Sequence, residues 1–256
     1  MGELLLGIDL GAGSLKATLV RPDGQVLGEG SAPVATSTPR PGWAEQDPRD
    51  WWVALCRAVP GVLAAAGVGP DAVRVVGISA GAHIGVLCGG DGEVLRPAIL
   101  WSDQRSAAEA ADLRDRADER IIGLTLNRAN PTWLLPQLQW IRTHDTAAFA
   151  ATRRLYLAKD WLRHRLTGSF ATDWSDVVGA LMGDVRTSSW SPELCALVGW
   201  DPATLPPVHR PTDIVGEVTA AAAAECGLRQ ATHELVRDAA GTGCTLVRWQ
   251  IGGTGA

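Results

Sequence analysis

An aspartate stands inside an apolar strand near the start of this chain. The segment reads Leu4-Leu5-Leu6-Gly7-Ile8-Asp9-Leu10 and runs straight into Gly11-Ala12-Gly13-Ser14. An unpaired charge buried in a strand is costly, so Asp9 is expected where the strand reaches an open cleft. The small residues after it leave backbone N–H groups uncovered, and such groups can cradle a phosphate. A carboxylate beside them is a hard oxygen ligand, suited to a metal ion carried on that phosphate. On this segment alone a second reading stays open, a Gly-rich hairpin with a surface Asp.

The residues that follow separate the known phosphate loops. A dinucleotide loop needs a third glycine and opens a helix, and a Walker loop needs GxxxxGK[ST]. Neither pattern is present. Instead Leu15–Val20 reads as a strand, Arg21-Pro22-Asp23-Gly24 as a turn, and Gln25–Gly30 as the next strand. The candidate loop is therefore a turn between antiparallel strands, the first two of a three-stranded meander. That arrangement resembles the actin-like ATPase group, in which ATP phosphates lie against β-turns.

Composition narrows the classes. A chain of 256 residues suffices for one large core, or for one domain and part of another. With 46% apolar residues, 20% charged residues and a net charge of -5, it reads as an ordinary globular protein. No basic face argues for nucleic acid. No apolar run reaches membrane-spanning length, and Leu4–Leu6 meets Asp9 too soon for a signal sequence. The five cysteines (Cys56, Cys88, Cys195, Cys226 and Cys244) are scattered, with no CxxC pair. That usage fits reduced thiols better than disulfides or zinc. The expectation is a cytoplasmic α/β protein without nucleic-acid or membrane partners, with homo-oligomer formation left open.

Farther along, Asp47-Pro48 supplies an N-cap and a first-turn proline for a helix running to Ala66, which Pro60 is expected to kink or split. Val73–Ser79 reads as a buried strand ending in Ala80-Gly81-Ala82. Val86–Leu95 reads as a hairpin and Pro97–Trp101 as another strand end. Ser102 is expected to cap a polar helix to Arg120, and Pro131 to Gly168 reads as helical throughout. Strands giving way to alternating strand and helix imply a mixed sheet covered on its faces.

Several segments, in order, resemble the FGGY carbohydrate kinases, especially the xylulokinases. They are Pro39-Arg40-Pro41-Gly42-Trp43-Ala44-Glu45-Gln46-Asp47-Pro48 with Trp51-Trp52, Gly77-Ile78-Ser79 leading to His83, and Leu95 to Arg105. Lys159-Asp160-Trp161-Leu162 to Gly168 and Ala171 to Asp176 complete the set. The resemblance covers about residues 4 to 228. It implies an actin-like, ribonuclease H-like α/β domain whose mixed sheet is flanked by helices. It also implies ATP and Mg2+ as cofactors and a small sugar or polyol as substrate.

By that resemblance Asp9 positions the metal and phosphates, while Gly11, Gly13 and Ser14 form the phosphate turn. Lys16 is either a phosphate ligand or a solvated strand residue. His83 matches the sugar-contacting His of the xylulokinase Met-His-Gly segment, here flanked by Ala82 and Ile84. Trp101 and Asp103 match the sugar-site Trp and its neighbouring acid. For His83 and Trp101 a plain core role stays open. Asp173 and Asp176 are expected to brace the cleft.

A sugar kinase also needs a carboxylate to accept the proton of the attacking hydroxyl. Asp238 is the nearest candidate, although His233, Glu234 and Arg237 replace the apolar strand and glycines the family has before it. The expected division is an N-terminal sugar-binding domain at 1–228 and a divergent tail at 229–256. On this reading the chain is a truncated or frame-altered ATP-dependent carbohydrate kinase, xylulokinase-like, with reduced or no activity. The alternative is a non-catalytic sugar-binding or interaction domain derived from one.

Overall fold

The computed structural model describes residues 4–235, and in it the meander forms as expected. Strands β1 (Leu4–Leu10), β2 (Ser14–Val20) and β3 (Val26–Pro33) pair antiparallel in sequence order. Strand β4 (Val73–Ala80) joins the other side of β1 in parallel. A separate two-stranded ladder follows, made of β5 (Gly85–Cys88) and β6 (Arg154–Leu157). Strands β7 (Ile214–Glu217) and β8 (His233–Leu235) return to the main sheet, whose order is β7-β8-β4-β1-β2-β3. Because β1, β4 and β8 run parallel, their carboxyl ends point to one edge of the sheet. Such an edge is where open α/β sheets bind ligands.

The longer helices are α1 (Pro48–Ala66), α2 (Ala107–Thr125), α3 (Leu134–His144) and α4 (Ala158–Thr167). The shorter α5 (Trp174–Gly179), α6 (Pro192–Val198) and α7 (Ala220–Cys226) follow. Side chains alternate across a strand, and in β1 Leu4, Leu6, Ile8 and Leu10 all fall on the buried face. They join Leu15, Ala17 and Leu19 of β2, Trp51, Leu55, Val59 and Val62 of α1, Leu162 and Leu166 of α4, and Ala222 of α7 in one core. Trp51 and Trp161 meet edge to face at its centre, 6.1 Å apart. Leu5, Gly7 and Asp9 take the opposite face, which keeps the Asp9 carboxylate out of this core.

A second core joins Leu113 and Ile121 of α2, Leu135, Leu138 and Ile141 of α3, and Leu194 and Val198 of α6. The β5–β6 ladder lies between the two cores and serves both. Val86, Cys88 and Tyr156 point into the first, whereas Leu87, Leu155 and Leu157 point into the second.

Three local expectations meet the structure differently. Helix α1 is capped by Asp47 as expected, the carboxylate accepting from Arg49 N at 2.9 Å, but it runs unbroken through Pro60. The proline lies on the exposed side, while Leu55 and Val59 before it and Val62 and Leu63 after it are held in the same core. The polar helix begins at Ala107 after Ser106, not at Ser102, because Asp103 already engages Arg105 in the intervening turn. The stretch 131–168 is not helical throughout, since Arg154–Leu157 is a strand. A four-residue apolar run fits a buried strand or helix equally well by pattern, and here contact with two cores decides. The expected hairpin does form, through Leu95 N to Leu87 O, Gly89 N to Glu93 O, the Gly92 N to Gly89 O turn and a bridge between Cys88 and Val94, but Gly85–Cys88 has its longer ladder with Arg154–Leu157.

Sheet and helix approach closely at Gly30. A Cβ there would stand 2.8 Å from the Ala58 carbonyl oxygen and 3.1 Å from Val62 N, both backbone atoms of α1. Gly30→Val must therefore push α1 off β3. The expected loss is about 1–3 kcal/mol of stability, measured as a lower denaturant midpoint at unchanged slope.

Candidate functional site

At the end of β1 the chain turns through Gly11, Ala12 and Gly13 before β2 begins. Gly11 N donates to Ser14 O at 2.9 Å, closing the turn, and Val34 N donates to Gly13 O at 3.0 Å. Two donors share the Ala12 carbonyl: Gln46 Nε2 at 2.7 Å and Thr36 Oγ1 at 3.1 Å. Among the described residues the Ala12 and Gly13 N–H groups donate to no protein acceptor, and both residues are exposed. A Cβ on Gly13 would have nothing within 4 Å. Packing therefore does not demand glycine there, and the absence of a side chain leaves the backbone open to close approach by a ligand.

Parallel pairing sets Asp9 level with Ser79 of β4, and antiparallel pairing sets it opposite Lys16 of β2. Ser79 Oγ donates to Asp9 Oδ1 at 2.7 Å, which orients the carboxylate at the mouth of the turn. Lys16 is exposed on the same face. Among the described residues no group of three or more His, Cys, Asp or Glu side chains is placed to hold a metal ion. A single carboxylate is enough for Mg2+ when phosphate oxygens complete its shell, and Asp9 fits that requirement.

A small pocket opens beside the turn, lined by Gly11, Ala12, Gln46, Gly81, Ile84 and Trp101. Trp101 is 50% exposed, so it is not a core residue. His83 lies two residues beyond Gly81 in a left-handed backbone conformation, with φ of 51°. Non-glycine residues held so are strained, and such strain gathers at ligand sites. Its ring packs on Trp133 at 4.7 Å, tilted by 32°. His83 Nδ1 and Trp133 Nε1 are both buried with no partner. Two adjacent orphan polar atoms are costly unless a ligand completes them. Burial also penalises the imidazolium and pushes the His83 pKa down to about 4.

Asp103 is almost fully buried and turned inward. It accepts from Ala44 N at 2.6 Å and from Arg105 through the backbone N, Nε and Nη2 at 2.7–2.9 Å. Arg105 also pairs with Glu45 at 2.6 Å and lies 3.7 Å over the Trp43 ring. Asp103 thus fixes the turn directly after Trp101.

Asp173 and Asp176 lie in another charged cluster, at the start of α5. Lys159 Nζ reaches Asp160, Asp173 and Asp176 at 2.6, 2.8 and 2.9 Å, and Arg163 reaches Asp160 at 2.9 Å. Burial would raise Asp173, but Lys159 outweighs it and holds that carboxyl below its usual range. At Asp176 burial prevails and lifts the carboxyl to about 6. Asp173 also caps α5, accepting from Ser175 N and Asp176 N.

The structure thus brings Asp9, Gly11, Gly13 and Ser14 together at one sheet edge. Trp101 lines the adjoining pocket, and His83 follows within a few residues of it. Asp103 is held beneath the Trp101 turn, and Asp238 lies outside the described residues. Sequence reasoning singled out neither Ser79, Gln46 nor Trp133 as site residues. The first two belonged to recognised segments, but only strand register and a folded loop bring them to the turn. Trp133 carried no signal among 11 tryptophans.

The N-terminal domain of the FGGY family of carbohydrate kinases matches residues 4–233. Xylulose kinase of Klebsiella pneumoniae is 35% identical over 220 residues, which are 84% of this chain and 44% of that protein. Xylulose kinase of Bacillus subtilis (strain 168) is 30% identical over 230 residues, 90% of this chain and 46% of that protein. The chain therefore spans about half the length of the curated relatives it matches. The crystal structure of xylulose kinase from Rhodospirillum rubrum superposes with a TM-score of 0.86 at 30% identity, covering 91% of this chain and 48% of that one. Gluconate kinase from Lactobacillus acidophilus gives the same TM-score of 0.86 at 21% identity, over 92% of this chain and 47% of that one, a likeness of fold alone. The fold is that of the actin-like ATPases, a mixed sheet with helices.

Two outcomes follow from the site's electrostatics. In a proton NMR titration His83 is expected to stay neutral to about pH 5 and to charge only near 4. The unfolded chain takes that proton near 6.5, so this residue's contribution to stability is complete above 6.5 and is lost as pH falls toward 4. Lys159→Met leaves buried carboxylates without their central cation. It is expected to cost about 3–5 kcal/mol, read from chemical denaturation.

Proposed function

The chain belongs to the FGGY family of carbohydrate kinases, and we propose that it supplies the sugar pocket and one phosphate turn of an ATP-dependent kinase acting on a ketose or polyol hydroxyl. The observation that carries this reading is the shared edge of β1 and β4. There a carboxylate and two unpartnered backbone N–H groups adjoin a pocket walled by a half-exposed tryptophan. The similarity to xylulose kinases supports a sugar-like substrate.

In this proposal the N–H groups of Ala12 and Gly13 donate to phosphate oxygens, and Ser79 holds the Asp9 carboxylate in place to carry Mg2+. When bound, Mg·ATP supplies the phosphoryl group and the charge neutralisation its transfer requires. Lys16, exposed on the face of Asp9, adds positive charge near the same phosphates. Trp101 offers its face to sugar C–H groups. His83, neutral near pH 7 because of its burial, and Trp133 bond hydroxyls through the atoms that lack protein partners. Asp103 serves that pocket indirectly, as the brace under Trp101. Asp238 is proposed as the acceptor of the hydroxyl proton. The sheet strand at 233–235 pairs with β4, so we place the sugar-binding domain as continuing to that strand.

The test is ADP release by the full chain against a panel of ketoses and polyols. Sugar-dependent ADP release that falls about 10–100-fold in Asp9→Ala is the expected result. ATP hydrolysis indifferent to every sugar would point to a general ATPase. Sugar binding with no ADP release would favour the non-catalytic binding domain.

A further inference from the structure

We propose that Gln46 is a positioning residue for the phosphate turn, setting the direction in which the Gly13 N–H points. The inference rests on the reading of Gly11–Ser14 as a phosphate turn. In a trans peptide the C=O and the following N–H point in opposite directions. Whatever anchors the Ala12 carbonyl therefore aims the Gly13 N–H. Gly13, whose φ is free to change sign, lets that peptide plane flip at little cost, and a flipped plane would present a carbonyl oxygen to an anion.

The anchor is a closed hydrogen-bond relay. Gln46 is nearly fully buried, and its Oε1 accepts from the Trp51 indole N–H at 2.8 Å. That bond fixes which end of the amide is which. Both Nε2 protons are then committed, one to Ala12 O at 2.7 Å and the other to Thr36 Oγ1 at 2.9 Å. The Thr36 hydroxyl passes its own proton to Ala12 O at 3.1 Å. Trp51 stands in the centre of the first core against Trp161. The direction of the exposed Gly13 N–H is thereby referred, through one amide, to the rigid part of the molecule.

Gln46→Glu is the decisive variant. It keeps the acceptor for Trp51 but turns a carboxylate oxygen toward the Ala12 carbonyl, where the two oxygens repel. The probe is Mg·ADP titrated into the full chain, followed by calorimetry and by the Ala12 and Gly13 amide resonances in 1H–15N spectra. In Gln46→Glu the free-state Gly13 resonance is expected to move and the Mg·ADP dissociation constant to rise about 10-fold or more, with thermal unfolding still cooperative. Unchanged Mg·ADP affinity in a folded Gln46→Glu chain overturns the role of Gln46 and leaves the phosphate-turn reading standing. If Mg·ADP moves neither amide in the unsubstituted chain, the phosphate-turn reading falls and this role falls with it. Should Gln46→Glu fail to fold, Thr36→Val, at an exposed position, carries the same comparison. A rise of about threefold in the dissociation constant, on the scale of one modest hydrogen bond, supports the relay, and no change overturns it.

Discussion

The parallel pairing of β1 with β4 fixes where chemistry is feasible in this molecule. It sets Asp9 level with Ser79 and Leu10 level with Ala80, so both strands stop together and their following loops must share one edge. Alternation does the rest. With Leu6, Ile8 and Leu10 committed to the helix-covered face, Asp9 has to emerge on the other. A one-residue slip would drive the carboxylate into the core and Ile8 out of it. The apolar stripe of β1 therefore protects the site register as well as the fold.

Charge is handled in two ways around that edge. Asp103, Glu45, Arg96 and Arg105 form a buried network, extended through the rings of Trp43 and Trp140. Lys159 and Arg163 do the same for Asp160, Asp173 and Asp176. Buried charges placed so densely stabilise little in net terms, but each is costly to leave unmatched. Their effect is to hold irregular loops in single conformations. One network fixes the turn behind Trp101, and the other ties the start of α4 to the start of α5.

Much of this architecture was legible because it is local. The meander follows from a Pro-Asp-Gly turn between apolar strands, and the start of α1 from Asp47-Pro48. Asp9 stood out because a carboxylate inside an apolar run contradicts burial. What was not legible depends on distant packing. Arg154–Leu157 is a strand because it is wedged between two cores, a fact absent from its own four letters. Pro60 leaves α1 intact because the residues before and after it are gripped by the same core. Asp103 was read as the acid beside the sugar-site Trp, and only the fold, bringing the Ala44 N–H and Glu45 alongside, shows it turned inward onto Arg105. Gln46 and Trp133 escaped for the related reason that their meaning lies in unshared or fully shared hydrogen bonds.

The pocket wall is where this chain is distinctive within a shared fold. Solved structures of a xylulose kinase and of a gluconate kinase superpose on this chain with the same TM-score of 0.86, so the backbone is common to both. At the pocket edge this chain departs from the Met-His-Gly segment it resembles. Ile84 occupies the place of that segment's glycine, and it is buried against the pocket. Its Cδ1 lies 3.1 Å from where a Cβ on Gly81 would be, and Trp101 closes the other side at 3.7 Å. Even a methyl group at residue 81 would crowd this corner. Gly81 is therefore the concession that lets a branched Ile84 and an aromatic Trp101 face one small space.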